Sequence, residues 1–316
     1  MNKCQILCIG TALIDSVIRG FDREPVSAAG FVAKSGELFA GGEAVNVSVA
    51  AAKLGAQAGI CCRLGEDAAG DLILKTLTEG GVDTSRVLRT KDVPTPVTTI
   101  FVDEEGERKS VTNTAHRYNF HPEHAPECLK GAKAAVIGSL FRAPFNDPAV
   151  VRDVLQILHQ EGSLIFADTK LPNFQPLTLE DIAPYLQSVD FITPNETEAY
   201  HFTGKQTPEE AAEVLLRCGV KNVVIKLGGK GCYFRSGTRE IRIPAYCVNA
   251  VDATGAGDNF LAGLITEILR GAKVEDALRF ACACGAICTT KTGAGEALTG
   301  REQVVELMGS DSGSAC

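Results

Sequence analysis

The chain has 316 residues, 45% hydrophobic and 22% charged, the balance of a soluble globular protein with one large α/β domain, or such a domain with a small appendage. A formal net charge of −8, with Arg and Lys spread thinly, argues against nucleic-acid binding, which needs a compact basic patch. No apolar run reaches the ~18 residues of a membrane span, and the N-terminus lacks an h-region with a cleavage site, so a cytoplasmic protein with no membrane partner is expected.

A first core strand is predicted near Lys3–Ile9. Apolar alternation follows over Asp15–Phe21 and Phe31–Phe39, just before Gly41-Gly42, and helical periodicity runs from Glu43 through VNVSVAAAKLG. AGICCRLG reads as a strand and AAGDLILKTLTEGG as a helix closed by glycines. Residues 97–112 predict a hairpin, two alternating runs joined by an acidic, Gly-containing turn.

From Lys133 the strands KAAVIG, SLIFAD, SVDFIT and VVIKLG alternate with amphipathic helices. Short, nearly all-apolar strands in that setting imply a parallel sheet covered on both faces. Strand-like IRIPAYCVNAV, two helices at about 256–270 and 273–290, and a last helix after Thr299 complete the chain. The β-rich segments lie before residue 113. One domain over residues 1–308 is expected, with a small projecting sheet inserted from about 14–40 and 93–113, and residues 309–316 (GSDSGSAC) as a disordered tail.

The 12 cysteines include Cys282, Cys284 and Cys288 in FACACGAIC, but no C-x-x-C pair occurs. A zinc site would need four suitably spaced ligands. The cysteines therefore read as small buried hydrophobes.

Chemistry concentrates in Val251-Asp252-Ala253-Thr254-Gly255-Ala256-Gly257-Asp258-Asn259-Phe260. The glycines let the backbone turn tightly and bring its N–H groups close to a ligand. The helix that follows adds unpaired donors and the positive end of its dipole, which makes an anion site suited to phosphate. Asp258, in the first helical turn, would lie beside that anion as proton acceptor for an attacking hydroxyl. The same residues also read as a glycine turn with an aspartate favoured by the dipole. A P-loop is absent, and Phe260 stands where a dinucleotide fingerprint needs its third glycine.

Asp252-Ala-Thr-Gly-Ala-Gly-Asp258 closely resembles the C-terminal signature of the ribokinase-like (PfkB) carbohydrate kinases, and Gly41-Gly42-Glu-Ala-Val-Asn46 resembles their N-terminal one. Gly10-x-x-x-x-Asp15 is similar to the family's first strand and substrate aspartate, Asn195-Glu-Thr-Glu198 to its Asn-x-x-Glu motif, and Leu227-Gly228-Gly-Lys-Gly231 to its nucleotide-side glycine turn. The matches come in family order along the whole chain. The resemblance implies an α/β fold, a three-layer α/β/α sandwich with a β-sheet lid that often contributes to homodimers. It implies transfer of the γ-phosphoryl of ATP with Mg²⁺, in many members helped by a monovalent cation such as K⁺.

On that resemblance Asp258 is the base and Gly255, Ala256 and Gly257 the anion hole. Asp15, Gly41, Gly42 and Asn46 hold the sugar, and Asn195, Gly228 and Gly231 lie on the ATP side, where Lys226 reads either as a charge offered to phosphate or as a snorkelling side chain. Glu198 reaches Mg²⁺ through water, and Asp252 and Thr254, with the loop Lys291–Ala294, mark the monovalent-cation site. Read without it, Asp15 is a turn aspartate, Asn46 an exposed or capping residue, and Asn195 an N-cap with Glu198 completing a capping box.

Two departures matter. Lys226 stands where the family often has Thr, and Ser139-Leu140-Phe141-Arg142 lacks the acidic sugar ligand that ribokinases proper carry after that strand. A fructose-like ketose or related monosaccharide is therefore favoured over ribose. Arg108, Arg142 and Lys170 read either as surface charges or as ligands for a substrate carboxylate or phosphate, and Asp168-Thr169-Lys170 ends a strand on the ligand side of such sheets. The alternatives are a nucleoside kinase, with Phe21, Phe31, Phe39 or Phe101 stacking on the base, and a non-catalytic nucleotide- or sugar-binding protein.

Overall fold

The structure, a computed structural model, describes residues 4–21, 30, 32–104, 107–112, 121–122, 125–172 and 177–310. Phe31 and residues 311–316, on which expectations fell, lie outside them.

Strand β1 (Ile6–Ile9) leads into two long strands, β2 (Leu13–Phe21) and β3 (Ala33–Gly41), and helix α1 (Glu43–Lys53). Then come β4 (Ala58–Cys61), β5 (Arg63–Gly65), α2 (Ala68–Glu79) and β6 (Leu88–Thr90), followed by a hairpin of β7 (Val97–Val102) and β8 (Arg108–Thr112). The second half holds β9 (Ala134–Leu140), α3 (Pro148–Gln160), β10 (Leu164–Thr169), α4 (Leu179–Ile182) and β11 (Phe191–Ile192). Helices α5 (Glu196–Thr203) and α6 (Pro208–Arg217) precede β12 (Asn222–Lys226), β13 (Cys232–Ser236) and β14 (Glu240–Ile243). Helices α7 (Ala256–Leu269), α8 (Val274–Cys288) and α9 (Arg301–Ser310) close the chain.

The main sheet has the order β14-β13-β12-β11-β10-β9-β1-β4. It is parallel from β4 through β12, as the apolar strands predict, and antiparallel at β13 and β14. Strand alternation divides the core between two faces. From β1, Ile6 and Cys8 pack with α1, α7 and α8, whereas Leu7 and Ile9 pack with α3 to α6. Both sets are 0% exposed, and each fully buried Leu or Ile contributes roughly 1.5–3 kcal/mol. The result is the three-layer α/β/α sandwich.

A second sheet, β3-β2-β7-β8, is built from the early β-rich segments, with β2 and β7 parallel. AGICCRLG splits: β4 joins the main sheet and β5 pairs with β6 in a small two-stranded sheet. IRIPAYCVNAV is a strand only in its first three residues, the end of β14 (Glu240–Ile243), because Pro244 cannot donate to a ladder and ends the run. Helix α9 continues through Ser310, two residues past the end expected at 308. Helix starts follow local chemistry: Asp67 accepts from Gly70 N, and Asp147 caps Ala149 N with Pro148 in the first turn.

Candidate active site

The C-terminal ends of the parallel strands form one edge of the main sheet, and the chemistry-bearing residues gather there. β9 delivers Ser139, β10 delivers Asp168 and Thr169, and β12 ends on Lys226. The start of α7 brings in Asp258, and the start of α1 brings in Glu43 and Asn46.

Asp258 and Asn46 lie 212 positions apart in sequence, yet Asn46 Nδ2 donates to Asp258 Oδ2 at 2.6 Å. Burial pushes the Asp258 carboxyl above the usual aspartate range, against the opposing pull of Lys170 and the Asn46 hydrogen bond. Gly255, the N-cap of α7, has φ 77°, and a Cβ there would stand 2.5 Å from that of Ala294. The turn therefore needs glycine to seat the helix N-terminus against the 292–295 loop. At Gly257 an added Cβ would lie 3.2 Å from Lys226 Nζ, so the ammonium points at the first turn of α7.

On the other side, Gly42 has φ 94°, and a Cβ there would collide with the Thr11 carbonyl. A Cβ at Gly41 would stand 2.5 Å from Asp15 Oδ2. Asp15 is not at the end of the first strand: it lies within β2, paired with Phe39 and Thr98 in the second sheet. A cleft of about 390 Å³ runs under that sheet, lined by Asp15, Gly41, Asn46, Arg108, Asp252 and Thr254 among others.

The floor is a hydrogen-bonded ion network. Lys226 Nζ contacts both oxygens of Asp168 at 2.7 Å, and Thr193 Oγ1 donates to Asp168 Oδ1 at 2.7 Å. Lys226 keeps its charge despite desolvation because Asp168 and Glu198 raise its pKa. Glu198 Oε2 accepts from Thr169 Oγ1 at 2.9 Å and from Asn195 N at 3.0 Å, while Asn195 Oδ1 accepts from Glu198 N at 2.9 Å. The capping box is thus formed, and burial, then Asp168, raises the Glu198 carboxyl. The Gly228–Gly231 turn is closed by Leu227 N donating to Gly231 O at 2.8 Å. It follows β12 directly and so adjoins Lys226.

Asp252 is engaged on both oxygens. Oδ1 accepts from Thr254 N (2.9 Å), Thr254 Oγ1 (2.6 Å) and Arg108 Nη2 (3.1 Å), and Oδ2 from Gly293 N (3.2 Å). Burial would raise this carboxyl, but the Thr254, Gly293 and Arg108 donors outweigh it and hold it at about 2. Arg108 Nη1 also reaches Thr254 Oγ1 at 3.0 Å, tying β8 to the loop before α7. With that guanidinium docked, the Asp252 donor set does not fit a bound monovalent cation.

Two residues the sequence reading did not single out complete the site. Glu43, 6% exposed, accepts from Ser139 Oγ at 2.7 Å through Oε2, and its buried Oε1 has no partner. Its carboxyl oxygens approach those of Asp168 and Asp258 within 4.8 Å. Burial, then those two neighbours, raises its pKa well above the usual range. Ser139 presents its hydroxyl from a left-handed backbone, φ 59°, a conformation costly for a non-glycine residue. Arg142 turns away from this group, its Nε donating to Leu171 O at 2.7 Å. Cys284 and Cys288 are free and buried, with Cys288 against the Thr254 carbonyl at 3.4 Å.

A sheet edge lined with carboxylates and ammonium groups, facing a glycine-turned helix N-terminus, is the site of a phosphotransferase that acts on an alcohol. The chain belongs to the pfkB family carbohydrate kinases, whose family profile matches residues 4–300. It is 30% identical to a ribokinase of Haemophilus influenzae over 85% of this chain and 87% of that one. It is 29% identical to fructokinase-1 of Oryza sativa subsp. japonica over 85% of this chain and 88% of the relative. The structure of Arabidopsis thaliana ribokinase complexed with ribose and ATP superposes with a TM-score of 0.83 and 26% identity, covering 96% of this chain and 98% of that one. The protein is a sugar kinase with the ribokinase-like fold.

Proposed function

We propose that this kinase transfers the γ-phosphoryl of ATP to a hydroxyl of a fructose-like ketose or related monosaccharide bound under the β3-β2-β7-β8 sheet. The sheet acts as the lid. The observation that carries the reading is the 2.6 Å hydrogen bond from Asn46 to Asp258, which joins the acceptor motif to the anion-site motif at one point.

Asp258 accepts the proton as the acceptor O–H bond breaks and the new O–P bond forms, while the bond to the ADP oxygen breaks. Asn46 fixes the carboxylate orientation, and the raised proton affinity of Asp258 suits the task. Backbone N–H groups over Gly255, Ala256 and Gly257 face the transferred group, with the Lys226 ammonium beside them. Asp15, Gly41, Gly42 and Asn46 form the acceptor side, and Glu43 joins them through its unpaired oxygen. Asn195, Gly228 and Gly231 lie toward the nucleotide. Glu198 would hold Mg²⁺ through water, and that ion would neutralise phosphate charge.

A nucleoside acceptor is less well supported. Phe39 lines the cleft, but Phe21 and Phe101 pack edge to face on each other at 6.4 Å. The outer sheet exposes Leu38 and Val111, which supports pairing of two copies through the lid. ADP release with fructose, related ketoses, ribose and nucleosides tests the reading: a ketose should give the highest kcat/KM. Turnover confined to nucleosides, or tight binding without ADP from any acceptor, would overturn it.

A further inference from the structure

The loop before α7 is fastened to the helices around it. Val251 N and Asp252 N donate to Thr289 O at 2.7 and 3.1 Å, at the end of α8. Asn259, fully buried near the start of α7, donates to Gly255 O at 2.9 Å and to Ala294 O at 2.7 Å. Lys53, the last residue of α1, donates to Gly295 O at 2.7 Å. The Asp252 carboxylate, accepting from Thr254 and Gly293, ties residues 252–257 and 292–295 into one unit. That unit carries the backbone donors of the anion turn.

Arg108 joins it from the other sheet. It opens β8 opposite Val102 of β7, and Ile100, Val102 and Arg108 all line the cleft. Thr254 Oγ1 donates to Asp252 Oδ1 and accepts from Arg108 Nη1 at 3.0 Å, while Arg108 Nη2 bonds the same carboxylate oxygen at 3.1 Å. The guanidinium fork therefore fixes hydroxyl and carboxylate together. The Arg108 side chain is 47% exposed, and an ion pair so open to water shifts an equilibrium by no more than about fivefold. The contact is thus weak enough to form and break as the sheet moves.

We propose that Arg108 is a positioning residue that makes binding of the acceptor and binding of the ATP phosphates cooperative. The inference rests on the reading above that the β3-β2-β7-β8 sheet covers the acceptor. An acceptor held between Asp15 on β2 and Asn46 on α1 draws the sheet toward the main domain, and the β2-β7-β8 ladder carries that movement to Arg108. Arg108 then seats on Asp252 and Thr254 and steadies the turn whose N–H groups at Gly255–Gly257 face the transferred group. By linkage, phosphate bound at the turn favours the seated sheet and tightens the acceptor by the same factor. A guanidinium that only stabilised the fold would leave the two sites independent.

The test measures binding of a non-hydrolysable ATP analogue by calorimetry, with and without the better acceptor of fructose and ribose. Tetramethylammonium buffer keeps small cations from replacing the guanidinium. In the wild type the sugar should tighten the analogue by about fivefold, and the analogue should tighten the sugar equally. Both factors should vanish in Arg108→Met, and Arg108→Lys, which keeps the charge but not the fork, should recover part of them. Amide hydrogen exchange on the acceptor-free enzyme needs no substrate. Peptides covering residues 252–258 should exchange up to about fivefold faster in Arg108→Met, with β9 and β10 unchanged. Equal coupling in wild type and Arg108→Met, no coupling in the wild type, or unchanged exchange over 252–258 would overturn the proposal. Failure of the functional reading shows separately, as no ADP released with any sugar or nucleoside.

Discussion

The carboxylates of the cleft fall into two groups that differ in what faces them. On the acceptor side, Asp258 and Glu43 receive hydrogen bonds from neutral donors, the Asn46 amide and the Ser139 hydroxyl. On the floor, Asp168 is held at 2.7 Å by the Lys226 ammonium on both oxygens. At Asp258 and Glu43 burial outweighs the pull of the Lys170 ammonium and of these neutral donors, so the proton affinity stays raised. A contacting cation pairs with the buried carboxylate and holds it in place by charge-assisted hydrogen bonds. One side of the site therefore carries carboxyls oriented by neutral donors, and the other is built around the Lys226–Asp168 ion pair.

The largest effect should come from removing the proton acceptor. Asp258→Asn keeps a side chain of the same shape beside Asn46, and kcat should fall roughly 10²–10⁴-fold. Circular dichroism and both KM values should stay close to wild type. Near-normal turnover would erase the distinction between the two sides. Next comes the floor. Lys226→Met leaves the buried Asp168 carboxylate without its cation and should cost about 3–5 kcal/mol in denaturant unfolding. Adding Asp168→Asn should restore much of that stability without restoring ATP affinity. If the double variant is no more stable than Lys226→Met, the pair is not the structural unit described here.

How much of this was legible depended on whether the information was local. The Gly255-Ala256-Gly257-Asp258 turn can be read in sequence because glycines, a helix start and an acid within a few residues already define an anion site. The capping box Asn195–Glu198 and the 97–112 hairpin are local in the same sense. Lys226 and Asp168 are 58 positions apart, so their pairing appears only once β10 and β12 lie in one sheet. Glu43 shows the limit most clearly. An acid at a helix start reads as a dipole effect, and the run Ser139–Arg142 shows no acid of its own. In the folded chain α1 carries Glu43 onto Ser139. The lack of an acid in that run is thus a weaker argument against ribose than the sequence suggests, which makes ribose an informative member of the acceptor panel.

Glu43 also gives a sharper test of the acceptor side. Its folded pKa is raised, so its contribution to stability is fully present below the unfolded value of about 4.3 and is lost as pH rises toward the folded value. Glu43→Gln removes that loss. The variant should gain on wild type as pH rises from about 4, by about 1.4 kcal/mol per pH unit until the folded pKa is reached. Paired unfolding curves from pH 4 to 8 check this, and a constant gap would show that Glu43 is not the group being discharged. KM for the acceptor should rise in the same variant, while KM for ATP stays unchanged.

The smallest expected effect concerns Asp252, an anion held in place by neutral donors and a cation together. Its carboxyl sits at about 2, and the cation beside it is Arg108, delivered by the outer sheet. A diffusible cation there would have to displace the guanidinium and face the Gly293 and Thr254 amides, both of which point donor hydrogens at the carboxylate. Replacing K⁺ with tetramethylammonium at constant ionic strength should therefore leave kcat/KM unchanged. In Arg108→Met the carboxylate loses its cation while the amide donors remain, and turnover should then increase when K⁺ is added back. Strong K⁺ activation of the wild type would show that Arg108 leaves Asp252 during turnover, and that the contact in this structure belongs to a state before the cation binds.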